Sequence, residues 1–153
     1  MTTAGKIAAD CEIFELTLSL DTSAYADGDL MADVQEIKNV GEGEQEVLLV
    51  SLAAIDKDDQ GATFDVFFTD DSTTWGTENS APSQADTVSD GVQAHVTLDT
   101  WKDIGGAQIA SVGPVNKLVR CASNGSIYVA CVSRGTPTYT ASGVVLKVGV
   151  SRQ

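Results

Sequence analysis

Short runs in which apolar and polar residues alternate dominate the chain. In IFELTLSL, which ends at Leu20, Phe14 and every second residue after it are apolar, which predicts a strand with one face in a core. ATFDVFFTD, VQAHVTL and VVLKVGV alternate in the same way. In VQAHVTL the pattern places Val92, Ala94, Val96 and Leu98 inward. These segments indicate half-buried strands.

Two segments follow other patterns. EVLLVSLAAID is apolar on both faces, which predicts a central strand covered on both sides. LMADVQEIKNV has helical spacing at Leu30, Val34 and Ile37, but the segment is short and GEGE follows it. We therefore predict a strand there as well.

The turn residues predict how some strands are connected. Asn124-Gly125 lies between two apolar runs, which favours a hairpin with a type I′ turn. In that register Cys121 faces Tyr128 and Cys131 faces Leu118, so no disulfide joins the two cysteines. Both are expected to be small buried or half-buried hydrophobic residues.

Two long irregular stretches, 70–91 and 99–116, separate the strands. The first has room for one helical turn in SQADTVSDG, and the second for a short strand near Ile109. In total the pattern predicts seven or eight strands with little helix, arranged as a single antiparallel β-sandwich or barrel. Residues 1–12 are predicted to form a flexible N-terminal arm, and residues 13–153 one domain.

Charge and composition exclude several classes of protein. The 153 residues carry a net charge of −13, without the basic footprint that nucleic-acid binding or an anionic membrane requires. No apolar run is long enough to span a membrane, and the first residues, MTTAGKIAADCEIF, do not resemble a signal peptide. We therefore expect synthesis in a cytoplasm, with neither nucleic acid nor membrane as a partner.

The acidic stretch Asp56-x-Asp58-x-Gln60-Gly61 copies the first half of an EF-hand calcium loop. The twelfth position, which must hold a bidentate acid, is Phe67, and the flanking segments are strands. We interpret Ile55 to Gly61 as an exposed hairpin connection between two core strands, and a looser calcium site is the alternative.

No constellation for catalysis is visible. His95 lies in a predicted strand between Ala94 and Val96, so it points to solvent or to a neighbouring strand. No serine or cysteine lies in a recognisable nucleophile motif. The one histidine and three cysteines do not have the spacing of zinc ligands. We expect a protein that is not an enzyme and has no catalytic residues, cofactor or metal.

Trp75, Trp101 and Tyr139 are predicted to lie in loops. Aromatic residues there most often cap the open ends of a sandwich core, but they also anchor interfaces or stack on sugars. We select these three residues, together with Arg134, as candidates for an interface.

From Phe14 to Val150 the chain resembles a family of small tailed-phage virion proteins that are typically encoded close to the major capsid protein. The most specific matching pieces are Tyr25-Ala26-Asp27-Gly28-Asp29 and the run from Ser133 to Tyr139, SRGTPTY. The resemblance is a general sequence likeness and carries no catalytic residues.

The resemblance implies a jelly-roll-like β-sandwich that decorates or cements the outside of a phage capsid after synthesis in the bacterial cytoplasm. The partners would be the major capsid protein and further copies of the chain, as a homodimer or homotrimer on local symmetry axes. A carbohydrate-binding jelly roll that uses Trp75, Trp101 or Tyr139, and a tail or baseplate component, are the alternatives.

Overall fold

In the computed structural model, residues 10–152 are described, and they form two antiparallel sheets packed face to face. Ten strands and one short helix make up this part of the chain. The strands are β1 (Cys11–Thr17), β2 (Leu30–Ile37), β3 (Glu46–Asp56), β4 (Phe64–Thr69), β5 (Val92–Leu98), β6 (Trp101–Asp103), β7 (Gln108–Val112), β8 (Lys117–Arg120), β9 (Ile127–Ser133) and β10 (Val144–Arg152), and helix α1 is Asp86–Ser89.

The order of the strands defines a jelly roll. Sheet A has the order β1-β10-β3-β7-β6, with β8 also paired to β3, and sheet B has the order β2-β9-β4-β5. Four antiparallel pairs are nested: β1 with β10, β2 with β9, β3 with β8, and β4 with β5. This is one long hairpin folded over into two sheets, with the β6–β7 hairpin inserted before β8. The predicted all-β, jelly-roll-like sandwich is confirmed, but residues 10–152 contain ten strands where seven or eight were predicted.

The alternating residues fill the space between the sheets. The inward side of β4 carries Phe64, Val66 and Phe68, which are all buried. In the first predicted strand Phe14 and Leu16 pack against the core, and Leu18 is buried just beyond the end of β1. The two-residue period therefore places the core correctly, because side chains in a strand alternate between its faces.

Several local predictions are confirmed. LMADVQEI forms strand β2, the predicted helical turn is α1, and the short strand expected near Ile109 is β7. β1 begins at Cys11, inside the range 1–12 that was predicted as an arm. The rest of that range, residues 1–9, lies outside the described residues, as does residue 153.

The predicted hairpin at Asn124-Gly125 is wrong. The chain does turn there, because the amide of Gly125 donates to the carbonyl of Ala122 and the amide of Ala122 to that of Ser126. The flanking strands, however, belong to different sheets, since β8 pairs with β3 whereas β9 pairs with β2 and β4. Gly125 has a positive φ of 82° but Asn124 does not, so the turn is not type I′.

Gly125 is expected to be indispensable for this crossing between the sheets. A Cβ atom on residue 125 would lie 2.3 Å from the carbonyl oxygen of Gly41, at a φ that favours glycine. We predict that Gly125→Ala lowers the free energy of unfolding by about 2 kcal/mol or more. Urea denaturation measures the loss. Gly106→Ala is the control, because a Cβ there meets nothing within 4 Å, and an equal loss in both variants would contradict the prediction.

The long segment 70–91 folds back over the outer face of sheet B. Trp75 and Val88 from this segment pack with Leu30, Ala130 and Val132 in a second, smaller apolar cluster. The main chain is held in place by backbone bonds from Leu30 to Ser80 and from Asn79 to Leu30. The protein therefore covers the apolar residues of this outer face with its own chain.

Candidate functional site

Within residues 10–152, no segment covers the outer face of sheet A in the same way. Strand positions on this face carry apolar side chains that are partly or largely exposed, and we call this surface the apolar face. It consists of Ile13, Leu48, Val50, Ile55, Ile109, Leu118 and Val145. Ile13 is 67% exposed and Leu118 is 63% exposed. Contiguous exposed apolar surface commonly marks an interaction site.

The register of the strands explains why these residues share one surface. In β3 the residues Val47 and Leu49 point into the core, which places Leu48 between them on the opposite side. Leu48 pairs with Leu118 of β8, and Ile55 pairs with Val145 and Ile109 in its two neighbouring strands. Cross-strand pairing thus places apolar residues from five strands on one side of sheet A, in two groups that lie at different ends of β3.

The apolar face carries very little of the protein's negative charge. Among the described strand positions on this side of sheet A, the acidic residues are Glu15 and Glu46 and the basic ones are Lys102, Arg120 and Lys147. The Glu15 carboxylate lies 3.3 Å from the Lys147 ammonium. Because the whole chain has a net charge of −13, its acidic residues are concentrated elsewhere. The apolar face therefore differs in charge from the acidic remainder of the surface, and this difference would orient the protein when it binds a partner.

A shallow hollow lies at the β1 end of the apolar face. Its volume is about 570 Å³, and Cys11, Ile13, Val50 and Gly149 are among the residues that line it. The pairing of β10 with β3 shifts in register after Gly149, so the sheet is irregular at this point. The exposed thiol of Cys11 stands at its edge, whereas Cys121 and Cys131 are buried. Burial of these two cysteines confirms their predicted role as small core residues.

Of the four predicted interface residues, Trp75 and Arg134 lie beside the same cavity. Trp75 belongs to the segment 70–91 and is buried against the outer side of sheet B, with its ring centroid 5.4 Å from that of Phe67. Arg134 follows β9 and is partly exposed, and its Nε donates to a carboxylate oxygen of Asp65 at 2.7 Å. Burial by itself would raise the pKa of Asp65, but hydrogen bonds from Thr97 and Arg134 outweigh it and lower the pKa.

Trp101 and Tyr139 lie away from that cavity and serve the main core. Trp101 is in strand β6, not in a loop as predicted, and its ring is 6.0 Å from that of Phe64. Tyr139 is buried against Tyr25, with 6.2 Å between the ring centroids. The interpretation of these aromatic residues as caps of the core therefore describes Tyr139 well. An interface role for the four residues stays a prediction, and Arg134 is the most exposed of them.

Tyr25 makes the stability of the fold sensitive to alkaline pH. Burial raises the pKa of Tyr25 from 10 to about 12. Its stabilising contribution is therefore complete below pH 10 and is lost as the pH rises from about 10 to 12, because the unfolded chain releases this proton first. We predict a loss of up to about 2 kcal/mol across this range, measured by urea denaturation.

Tyr25→Phe provides the control for this pH dependence. The Tyr25 hydroxyl donates to the carbonyl of Met31 and accepts from the amide of Asp21, so the variant is less stable at neutral pH. Its further loss between pH 10 and 12 should nevertheless be smaller than that of the wild type. Burial also raises the pKa of Tyr139, and this contribution should persist in the variant. Equal alkaline losses in both proteins would contradict the assignment to Tyr25.

The acidic loop after β3 differs from its prediction in two respects. It connects β3 in sheet A to β4 in sheet B, so it is a crossing between sheets and not a hairpin. Asp56 is fully buried, and its carboxylate accepts bonds from the backbone amides of Asp58, Gln60 and Gly61. Asp58 in turn accepts from the amide and hydroxyl of Thr140. These carboxylates fix the backbone of the crossing.

His95 is exposed and stacks on Phe67 of the neighbouring strand, with 5.9 Å between the ring centroids, as its position in the pattern predicted. Val92 differs from its prediction: it joins the smaller cluster on the outside of sheet B and not the main core. Phe68 pairs with Ala94 and Thr69 with Val92, so Gln93 is an extra residue in β5, and this irregularity accounts for the change of side.

No protein-family model and no curated protein matches the chain. Among solved structures it is similar to a candidate sugar-binding protein from Bacteroides thetaiotaomicron, at 14% identity and a TM-score of 0.30, covering 93% of this chain and 88% of the other. It is also similar to VP2 of infectious bursal disease virus, at 10% identity and a TM-score of 0.24, covering 92% of this chain and 40% of VP2. At these TM-scores the similarities carry no argument about function. In residues 10–152 no helix is long and apolar enough to cross a membrane.

Proposed function

We propose that the protein is a non-enzymatic virion protein that binds the outer surface of a phage capsid through its apolar face and stabilises the shell. The observation that carries the proposal is the contrast between the two outer faces of the sandwich. Segment 70–91 covers the apolar residues of sheet B, whereas no segment of residues 10–152 covers those of sheet A, which are partly or largely exposed. The resemblance to small tailed-phage virion proteins supplies the identity of the partner.

The distribution of charge supports an orientation on the shell. With the near-neutral apolar face against the capsid, the acidic remainder of the surface faces solvent. A net charge of −13 keeps free copies soluble and separate before the shell is assembled. Burial of exposed aliphatic side chains then contributes about 25 cal/mol per Å² of apolar area removed from water.

Stabilisation of the shell follows from mass action. A protein that binds across neighbouring capsid subunits, and binds only their assembled arrangement, shifts the equilibrium towards the assembled shell. Many copies on one lattice add up to a large effect even where each contact is modest. Association as a homodimer or homotrimer would place copies on local symmetry axes, and it stays a prediction.

Cryo-electron microscopy of the purified protein mixed with expanded capsids that lack it is the direct test. The proposal expects ordered density at defined lattice positions, with sheet A towards the shell. Bare capsids at saturating protein concentration would overturn it. Density at the tail of complete virions would instead support the tail or baseplate alternative.

Labelling of Cys11 gives an independent readout of the orientation. Cys11 is exposed beside the hollow, and the other two cysteines are buried, so a maleimide reagent should modify Cys11 selectively in the folded protein. Capsid binding through the apolar face should slow this modification at least tenfold, as measured by mass spectrometry of this chain. Unchanged labelling of capsid-bound protein would show that another surface makes the contact.

The carbohydrate-binding alternative with an aromatic platform lacks support from the geometry. A sugar ring stacks on an open aromatic face, but Trp75 and Tyr139 are buried, and Trp101 packs against Phe64. None of the three presents a broad exposed ring to solvent. A platform of this kind would need a rearrangement of the loops that hold these residues.

A further inference from the structure

The cavity beside Arg134 is a second feature of the surface, on the opposite side of the sandwich from the apolar face. It lies between the outer side of sheet B and the segment 70–91, with a volume of about 370 Å³. Its walls include Phe67, Trp75, Val92 and Val132, so most of the lining is apolar. Cavities of this size with apolar walls and few polar groups are typical of sites for small ligands.

Arg134 is held in a defined orientation at this cavity. Its Nε donates to Asp65, and the same carboxylate accepts from the hydroxyl of Thr97 at 2.6 Å. The backbone amide of Arg134 donates to the carbonyl of Thr63. Within the described part of the chain, no hydrogen bond from the two terminal nitrogens of Arg134 is found. The guanidinium is thus positioned through Nε, and its two terminal NH₂ groups keep their N–H donors for another acceptor.

The indole of Trp75 supplies a second, independent observation. Trp75 lines the cavity and is 97% buried, since only 3% of its surface is exposed. Its Nε1 is buried and has no hydrogen-bond partner among residues 10–152. A buried N–H group without an acceptor is rare in folded proteins, because it loses its bond to water without replacement. An acceptor from a bound molecule would satisfy it.

These features select one class of ligand. A guanidinium whose two terminal NH₂ groups are free can donate to both oxygens of a carboxylate. Its positive charge favours a carboxylate over a neutral group. The apolar walls select a ligand body without many hydroxyl groups. We propose that this cavity binds an organic monocarboxylate with an apolar body, with the carboxylate on Arg134 and the body against Phe67 and Trp75.

The test is a titration monitored by the tryptophan side-chain signals in a ¹H–¹⁵N correlation spectrum. Two such signals are expected, and Trp101→Phe identifies the one from Trp75. N-acetyl-leucine should shift the Trp75 signal in a saturable manner, with a dissociation constant in the millimolar range or below. N-acetyl-leucinamide, which has the same body without the charge, should bind at least tenfold more weakly.

Two variants connect the binding to Arg134. Arg134→Lys keeps a positive charge beside Asp65, so the variant should fold. It lacks the planar guanidinium that can donate to two oxygens at once, so it should bind N-acetyl-leucine at least tenfold more weakly. Val92→Phe fills the cavity without touching the ion pair and should also weaken binding. Arg120→Lys is the matched control, because Arg120 also pairs with an aspartate, Asp70, but does not line the cavity. It should bind as the wild type does.

Further ligands distinguish the source of the carboxylate. Tighter binding of a peptide that ends in leucine than of hexanoate would support a polypeptide C-terminus, and the reverse order would support a free acid. Either order is consistent with the proposal. Absence of a saturable shift up to about 50 mM N-acetyl-leucine, equal binding of the amide, or tighter binding of glucuronate would overturn it.

Discussion

If the apolar face binds a capsid as proposed, Leu118→Asp is expected to weaken that binding at least 30-fold and to leave the stability of the protein almost unchanged. Leu118 is 63% exposed in the free protein and lies in β8 next to Leu48. A carboxylate there loses its water when the apolar face meets the shell. The cost of burying an unpaired polar or charged group is at least about 2 kcal/mol, which corresponds to this factor. Ile13→Asp, in β1, should act in the same direction.

Ile104→Asp is the matched control for these variants. Ile104 is 60% exposed, which is close to the exposure of Ile13 and Leu118. It lies in the turn between β6 and β7 and not on the apolar face. Binding isotherms from co-sedimentation with capsids, and thermal unfolding of the free proteins, compare the three variants. Equal loss of binding in all three would point to net charge as the cause, and unimpaired binding of Ile13→Asp and Leu118→Asp would rule out the apolar face.

The segment EVLLVSLAAID contained the signal for this surface. Apolar residues on both sides of a strand predict that both sides are covered, and β3 is indeed the central strand of sheet A. Its outer residues Leu48, Val50 and Ile55 are nevertheless only partly buried in the free chain. A hydrophobic pattern indicates that burial of a face is favourable. It does not indicate whether the same chain or another molecule covers that face.

Alternation located β1, β4, β5 and β10, because its period of two follows directly from the geometry of the extended chain, whereas β6 was missed. The connections were harder. Asn124-Gly125 and the loop from Ile55 to Gly61 both contain turn residues, and in both places the chain crosses from one sheet to the other. Turn residues fix the local reversal of the backbone, whereas the pairing of the flanking strands depends on segments far away in the sequence.

The cavity beside Arg134 illustrates the same limit. Arg134 and Trp75 were selected from the sequence as candidate contacts, but neither their shared cavity nor Asp65 as the partner of Arg134 could be predicted. Asp65 and Arg134 are 69 positions apart and meet only because β4 pairs with β9. Long-range pairing in the sandwich creates the site, and no local pattern encodes it.

Asp56→Ala is expected to lower the free energy of unfolding by about 3 kcal/mol or more. The Asp56 carboxylate is fully buried and accepts three bonds, from the amides of Asp58, Gln60 and Gly61, at 2.8 to 2.9 Å. Hydrogen bonds to a charged group contribute about 1.5–3 kcal/mol each, and alanine would leave all three amides without this acceptor. For a domain of this size the loss corresponds to a decrease in Tm of about 6–12 °C, measured by calorimetry.

Asp56→Asn separates this backbone role from simple charge. An asparagine at position 56 keeps one acceptor oxygen, but its amide group would face one of the donors, so stability should be intermediate between alanine and the wild type. Lys57→Ala is the control in the same loop, since the Lys57 side chain is exposed, and it should change stability by less than about 0.5 kcal/mol. If added Ca²⁺ raised the Tm of the wild type but not of Asp56→Ala, the acidic loop would be a cation site. We expect no such rise, because the Asp56 oxygens are already engaged by the backbone of the crossing between the two sheets.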